Sequence, residues 1–471
     1  MGPPLTGAAM PARDRPPVLA AVLSLVAVAM PALAHAGGTG ADVSAASLPI
    51  WIVWVAGAGV VALSFALVGV FLTRSDPRNP GEAEPIGPGD VTGLPRGLVG
   101  VARVAGLILW LGVLAPGLSP WNFGWAGPRL VWLGTWTALP LVCYLVGNLW
   151  LLVSPFRALA GVAETLRADE RPYRYPREVG AWPSVILLVA LVGLEIVTPG
   201  QDAIVLARLA IAYSAFTVLG MMVFGSRVWL AEVEVFDRVF AWWSTMAPLQ
   251  LTDEGVQITN PLARMGDKQA RGAAGASFLI VLLYGVNFDG FLATPPGRAG
   301  IARLGGGTLA HLGLLVLGLA LFLAAFWACA EAARRVAGSL RPLGRVGARL
   351  AVGLVPIAAG YHLAHAGPYL YEALPLLWET LSDPLALGPA EAVAWTIPAA
   401  WGTRIVAFQM TLVVLAHVLA VVGAHEVAFG SFASRVQALK SELPVTILMV
   451  VYTVVGLWLA ASGVGALGGA G

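Results

Sequence analysis

The chain has 471 residues, of which 58% are apolar and 11% charged, with a mean hydropathy of +0.80. A soluble protein carries about 25% charged residues, so this composition excludes a soluble enzyme and leaves a polytopic membrane protein. The net charge of +2 comes from 28 basic and 26 acidic side chains with no basic block, which excludes a nucleic-acid binder.

The N-terminus reads as a targeting signal. Arg13 and Arg15 precede an apolar stretch from Val18 to Met30, too short to span comfortably, and Ala32-Leu33-Ala34 supplies the small-x-small pattern of a cleavage site. Removal of residues 1–34 leaves one polytopic transmembrane domain, 35–471, whose mature N-terminus is His35 and lies outside a bacterial-type inner membrane. An N-terminal His matters chemically, because its α-amine and ring nitrogen form a chelating pair for a borderline metal. The plainer alternatives are an incidental first residue in the flexible run His35-Ala36-Gly37-Gly38 and an uncleaved anchor.

About 20 apolar residues cross a bilayer. Qualifying runs lie near 49–72, 98–117, 130–153, 182–199, 203–224, 275–292, 308–332, 350–372, 401–425 and 443–462, which predicts an all-α bundle of about ten transmembrane helices. With the N-terminus outside, the inner segments hold twenty basic residues, Arg157, Arg271 and Arg349 among them, against Arg129, Arg298 and Arg303 in the outer ones. That is the positive-inside asymmetry, and the inverted topology would violate it. Residues 227–249 alternate Trp229, Phe236, Phe240, Trp242 and Trp243 with Glu232, Glu234 and Asp237, and predict an interfacial amphipathic helix. No internal repeat is evident.

Ionisable side chains inside spans are costly and mark function. The two cysteines, Cys143 and Cys329, both lie in apolar runs, so no disulfide framework or cysteine metal site is available. Metal ligands would have to be His and carboxylate. His362 and His365 are three apart on one helical face of the run 350–372, and the run 401–425 brings Arg404, Gln409, His417 and His425 back from the outer side. Depth gathers His35, Asp289, His311, His362 and His365 toward the outer half, with His417 somewhat deeper. Such a set is an adequate shell for a divalent transition metal, zinc first and copper as the alternative. The ligands would be His35, His362, His365 and His417, with Asp289 and Tyr361 as hydrogen-bond partners of the paired rings. Each has a structural alternative: buried imidazoles bonded to carbonyls or to one another, an Asp289-Gly290 turn, and, for His311 and His425, an interfacial position. Arg404 either neutralises an anionic intermediate or snorkels to the interface. Glu195 and Arg208, facing across the turn 198–202, read as a structural ion pair.

Several strings, in order and spacing, resemble the integral membrane fenitrothion hydrolases. These are Leu48-Pro49-Ile50-Trp51 after His35-Ala36-Gly37, Tyr175-Pro176-Arg177 with Trp182-Pro183, Asn287-Phe288-Asp289-Gly290-Phe291, His362 to His365, Ser382-Asp383-Pro384-Leu385, His417 with His425, and Val455-Gly456-Leu457-Trp458-Leu459. The resemblance implies hydrolysis of a lipophilic organophosphorothioate triester with release of a nitrophenol, and a second membrane subunit. On chemical grounds a His-held metal would polarise the phosphoryl group and supply hydroxide, with Asp289 orienting or deprotonating the water. Two other readings stay open. One is a copper-binding membrane protein or oxidase built on the His35 chelate. The other is a transporter or structural subunit whose intramembrane His and Arg residues form a proton or ion path.

The asymmetry of basic residues fixes a labelling pattern. A cysteine in place of Asp383 should react with impermeant thiol reagents added outside intact cells, and one in place of Arg171 should not. The reverse pattern would overturn the orientation.

Overall fold

The computed structural model describes residues 50–71, 84–85, 94–118, 125–166, 173–197, 202–252, 255–265, 268–432 and 434–462. The signal segment and His35 lie outside the described residues. Twelve of the helices among the described residues organise the fold. They are α1 (Ile50–Phe71), α2 (Arg96–Leu118), α3 (Ala126–Val146), α4 (Pro155–Thr165), α5 (Trp182–Ile196) and α6 (Ala203–Phe224). The second half holds α7 (Val235–Trp243), α8 (Gly272–Leu292), α9 (Gly307–Val336), α10 (Val355–Ser382), α11 (Gly402–Phe429) and α12 (Arg435–Ser462). Among the described residues, eight helices are long and apolar enough to cross a membrane, and α5 and the apolar part of α1 are shorter ones. The chain is an all-α polytopic helix bundle. A short hairpin pairs Leu249–Thr252 with Gly255–Ile258 in antiparallel register.

Local chemistry sets the helix ends. Asp202 accepts from the amides of Ile204 and Val205 to start α6, and Gly225, at φ 88°, ends it in a conformation closed to most side chains. Within α3 the stretch Arg129–Ala138 is wound as a π-helix, and the hydroxyls of Thr135 and Thr137 follow the same i→i−5 step to the carbonyls of Leu130 and Trp132.

Burial sorts the helices into centre and periphery. In α8, 72% of the spanning window is buried, and in the run through α10 89%, against 17% in α9, which turns Leu309, Val316, Leu317 and Leu321 outward. Polytopic helices associate through close backbone approach rather than the hydrophobic effect. Just before α10, Gly353 packs against Ala424 of α11, and on α10 a Cβ at Gly360 would collide with that of Ala416. These small residues set α10 and α11 side by side, and α12 packs against α11 in turn.

The expectation of an interfacial helix at 227–249 is corrected. Every residue of α7 is buried, Asp237 and Arg238 included. Glu234 caps the helix by accepting from the amides of Phe236 and Asp237, and accepts from the Tyr213 hydroxyl of α6 at 2.5 Å. Burial, then the Asp237 carboxylate, push Glu234 up to about 8. Asp237 pairs with Arg157 of α4 at 2.8 Å, and Arg238 donates to the Ala231 carbonyl and stands 3.9 Å from Glu232. The polar face thus meets protein partners instead of headgroups.

The expected Glu195–Arg208 ion pair does not form either. Arg208 is exposed on α6, while Glu195 lies beside Trp136 of α3.

Removing one member of a buried ion pair leaves the other charge uncompensated, so Asp237→Ala should lower stability in detergent by about 3–5 kcal/mol, read from denaturant unfolding. A loss below about 1 kcal/mol would mean that Arg157 is solvated, which contradicts this packing.

Candidate functional site

The site is built on α10, α11 and α12 with α8 against them, and its ionisable side chains lie at three levels.

At the first level, Asp289 near the end of α8 accepts from Nε2–H of His365 on α10, at 3.1 Å. The pair is open at the bundle surface, with side chains 43% (His365) and 62% (Asp289) exposed. The Tyr361 ring stacks on His365 at 6.1 Å between centroids. Glu195 and Tyr369 lie within electrostatic reach of Asp289.

His362 faces elsewhere. Three residues of an α-helix fall about 60° short of a full turn, enough here to send the two rings to different neighbours. His362 is buried, its Nδ1 shares a 2.7 Å hydrogen bond with the Tyr144 hydroxyl of α3, and its ring stacks on Trp243 of α7. Tyr144 packs edge-on against Trp243 and closes an aromatic box around the imidazole. Trp243 reaches this box because α7 is buried.

The second level is His417 of α11, 2% exposed. Its Nδ1–H donates to the Val413 carbonyl one turn back, at 2.7 Å. Its Nε2 has no hydrogen-bond partner among the described residues.

The third level lies near the end of the bundle that carries Arg349 and Lys268. His425 donates from Nδ1 to Glu442 of α12 at 3.2 Å, with both side chains under 5% exposed. Glu426 is buried beside them in sequence, and the Phe429 ring covers His425 at 4.3 Å. Arg349, also buried, donates to Ser431 Oγ and to the Lys268 carbonyl, both at 2.9 Å, tying the loops at this end.

The positions singled out from the sequence therefore separate. Asp289 and His365 meet as expected of a ring and its carboxylate partner. His362 takes Tyr144 rather than Tyr361, and His417 takes its own helix carbonyl. His311 donates to the Gly307 carbonyl, and Arg404 is exposed at the start of α11. Among the described residues no group of three or more His, Cys, Asp and Glu side chains is arranged to hold a metal ion. The described ligand candidates are not gathered into such a group: His362 faces Tyr144 and Trp243, His365 faces Asp289, and His417 faces a separate cavity.

Sequence reasoning missed the His425–Glu442 pair. Its signal was available: a His and a Glu at the adjoining ends of two consecutive antiparallel spans, joined by a short turn. No family model, curated protein or solved structure matches this chain.

The Tyr144–His362 bond carries a stability prediction. Tyr144→Phe leaves a buried ring nitrogen without a partner and should cost about 1–3 kcal/mol, whereas adding His362→Leu removes the orphaned group and should recover part of it. A double variant less stable than the single one would contradict the assignment.

Proposed function

We propose that this protein moves protons through the membrane along α10, α11 and α12, as a proton-coupled transporter or a proton-conducting subunit of a membrane complex, with the arginine-rich end toward the cytoplasm. The observation that carries the reading is that two His–carboxylate pairs, His365–Asp289 and His425–Glu442, lie at different depths of adjoining helices with His417 between them. Ionisable groups at membrane depth belong to ion pathways and proton relays. A His–carboxylate pair exchanges a proton while staying hydrogen-bonded, which keeps both groups compensated in a medium of low polarity. His417 to His425 is eight residues, about 12 Å along the axis, a gap that water would have to bridge.

One observation favours a second reading, hydrolysis of lipophilic organophosphorus triesters: of the two pairs, His365–Asp289 is the one open at the surface. Asp289 would orient the ring through Nε2–H, and the other ring nitrogen would take a proton from water as its oxygen attacks phosphorus and the aryloxide leaves. A metal would supply Lewis-acid polarisation of the phosphoryl group. Among the described residues no group of three or more His, Cys, Asp and Glu side chains is gathered to hold one, and the step above is written on the pair.

Proteoliposomes separate the readings. Potential-driven proton uptake, followed with an enclosed pH dye, should occur with the wild type and fall at least about tenfold in Asp289→Asn and in Glu442→Gln. Nitrophenol release from an aryl phosphotriester without proton uptake, lost in Asp289→Asn and kept in Glu442→Gln, would overturn the proton reading in favour of the hydrolase.

A further inference from the structure

Between the two His–carboxylate pairs lies a small cavity with room for about one water molecule. Its walls come from four helices besides α11: Leu283 and Asn287 of α8, Phe322 of α9, Tyr361 of α10, and Tyr452 of α12. His417 enters from α11. Two buried polar atoms on this wall have no hydrogen-bond partner among the described residues, His417 Nε2 and the Tyr452 hydroxyl. Their side chains are 2% and 7% exposed. Leaving a buried donor or acceptor unsatisfied costs about 1–3 kcal/mol, and two of them on one cavity of this size point to a small polar occupant.

The protonation pattern of His417 follows from geometry. A backbone carbonyl only accepts, so the 2.7 Å contact with Val413 requires the proton on Nδ1. In the neutral ring Nε2 is then a bare lone pair facing the cavity. The Tyr452 ring is held by stacking on Phe322, 4.7 Å apart and 5° from parallel, so its hydroxyl is presented at a fixed place. Asn287 spends its amide on the Leu283 carbonyl and keeps its oxygen as an acceptor. The titratable groups facing His417 here are Tyr361 and Tyr452, while α9 brings Phe322, and α1, which packs against α11, contains no titratable residue.

We propose that this cavity binds a water molecule that donates to His417 Nε2 and hydrogen-bonds the Tyr452 hydroxyl, and that His417 is thereby the central proton acceptor of the path. The relay claim rests on the proton-path reading, whereas the water site stands without it. In the relay step the cavity water, arriving as hydronium from the His365–Asp289 side, gives its proton to Nε2, leaving water and an imidazolium. The Nε2–H bond breaks when that same water takes the proton back and passes it on toward His425–Glu442. The Nδ1–H bond to Val413 is kept throughout, so the ring does not turn.

Solid-state NMR of protein labelled with ¹⁵N-histidine in liposomes tests the site, and proton uptake by the same liposomes tests the relay. The expected result is one histidine protonated at Nδ1 and bare at Nε2, with a contact from Nε2 to water protons. That signal should vanish in His417→Gln and its water contact weaken in Tyr452→Phe, which keeps the ring and its stacking. Proton uptake should fall at least about tenfold in His417→Gln. An Nε2–H ring, a dry cavity, or a metal bound to Nε2 at one per chain would overturn the water site. A hydrated His417 in a wild type that takes up no protons would overturn the proton-path reading and leave the water site in place. Uptake that survives His417→Gln would remove the histidine from the path.

Discussion

In a bundle whose surroundings offer no water, a buried polar side chain must find its partner within the protein, and this requirement organises α10, α11 and α12. Tyr144 answers His362, Val413 answers His417 and Glu442 answers His425, while Asp289 meets His365 where the bundle is open. Close packing holds the two histidine-bearing helices side by side. The small pairs Gly353–Ala424 and Gly360–Ala416 permit it, and bulkier side chains at those positions would push α11 away from α10. The same rule accounts for α7, where Glu234, Asp237 and Arg238 sit in the core because Tyr213, Arg157 and Glu232 come from other segments to meet them. Once α7 is inside, Trp243 becomes a wall of the His362 box, so one buried ion network shapes the aromatic surroundings of another helix.

Spans were legible in the sequence because hydropathy over a window depends on composition alone. All ten apolar runs contain helix, although the run near 350–372 continues to Ser382. Contacts between spans were less legible. The alternation of aromatic and charged residues in 227–249 describes a two-faced helix, but a polar face looks the same whether headgroups or Arg157 satisfy it, and Arg157 is 80 positions away from Asp237. Glu195 and Arg208 were close in sequence across a turn, yet the rotation of each helix about its own axis decides whether side chains meet, and here it parts them.

The histidines carry the same lesson. An i, i+3 pair suggests a common focus, but the residual rotation sent His362 to α3 and His365 to α8. Of the four ligand candidates, His35 lies outside the described residues, and the other three each have a partner of their own. What remains is His417, whose Nδ1 is satisfied and whose Nε2 is not. That nitrogen and the Tyr452 hydroxyl, both unmet among the described residues, face one cavity lined from α8 to α12.

Electrical recording from the protein in planar bilayers tests the proton path most directly. Under a pH gradient with sodium, potassium and chloride held equal on both sides, a proton path along α10, α11 and α12 predicts a current that reverses at the proton equilibrium potential and follows it when the gradient is inverted. A reversal potential indifferent to pH, or no current from protein that is folded and inserted, would contradict it.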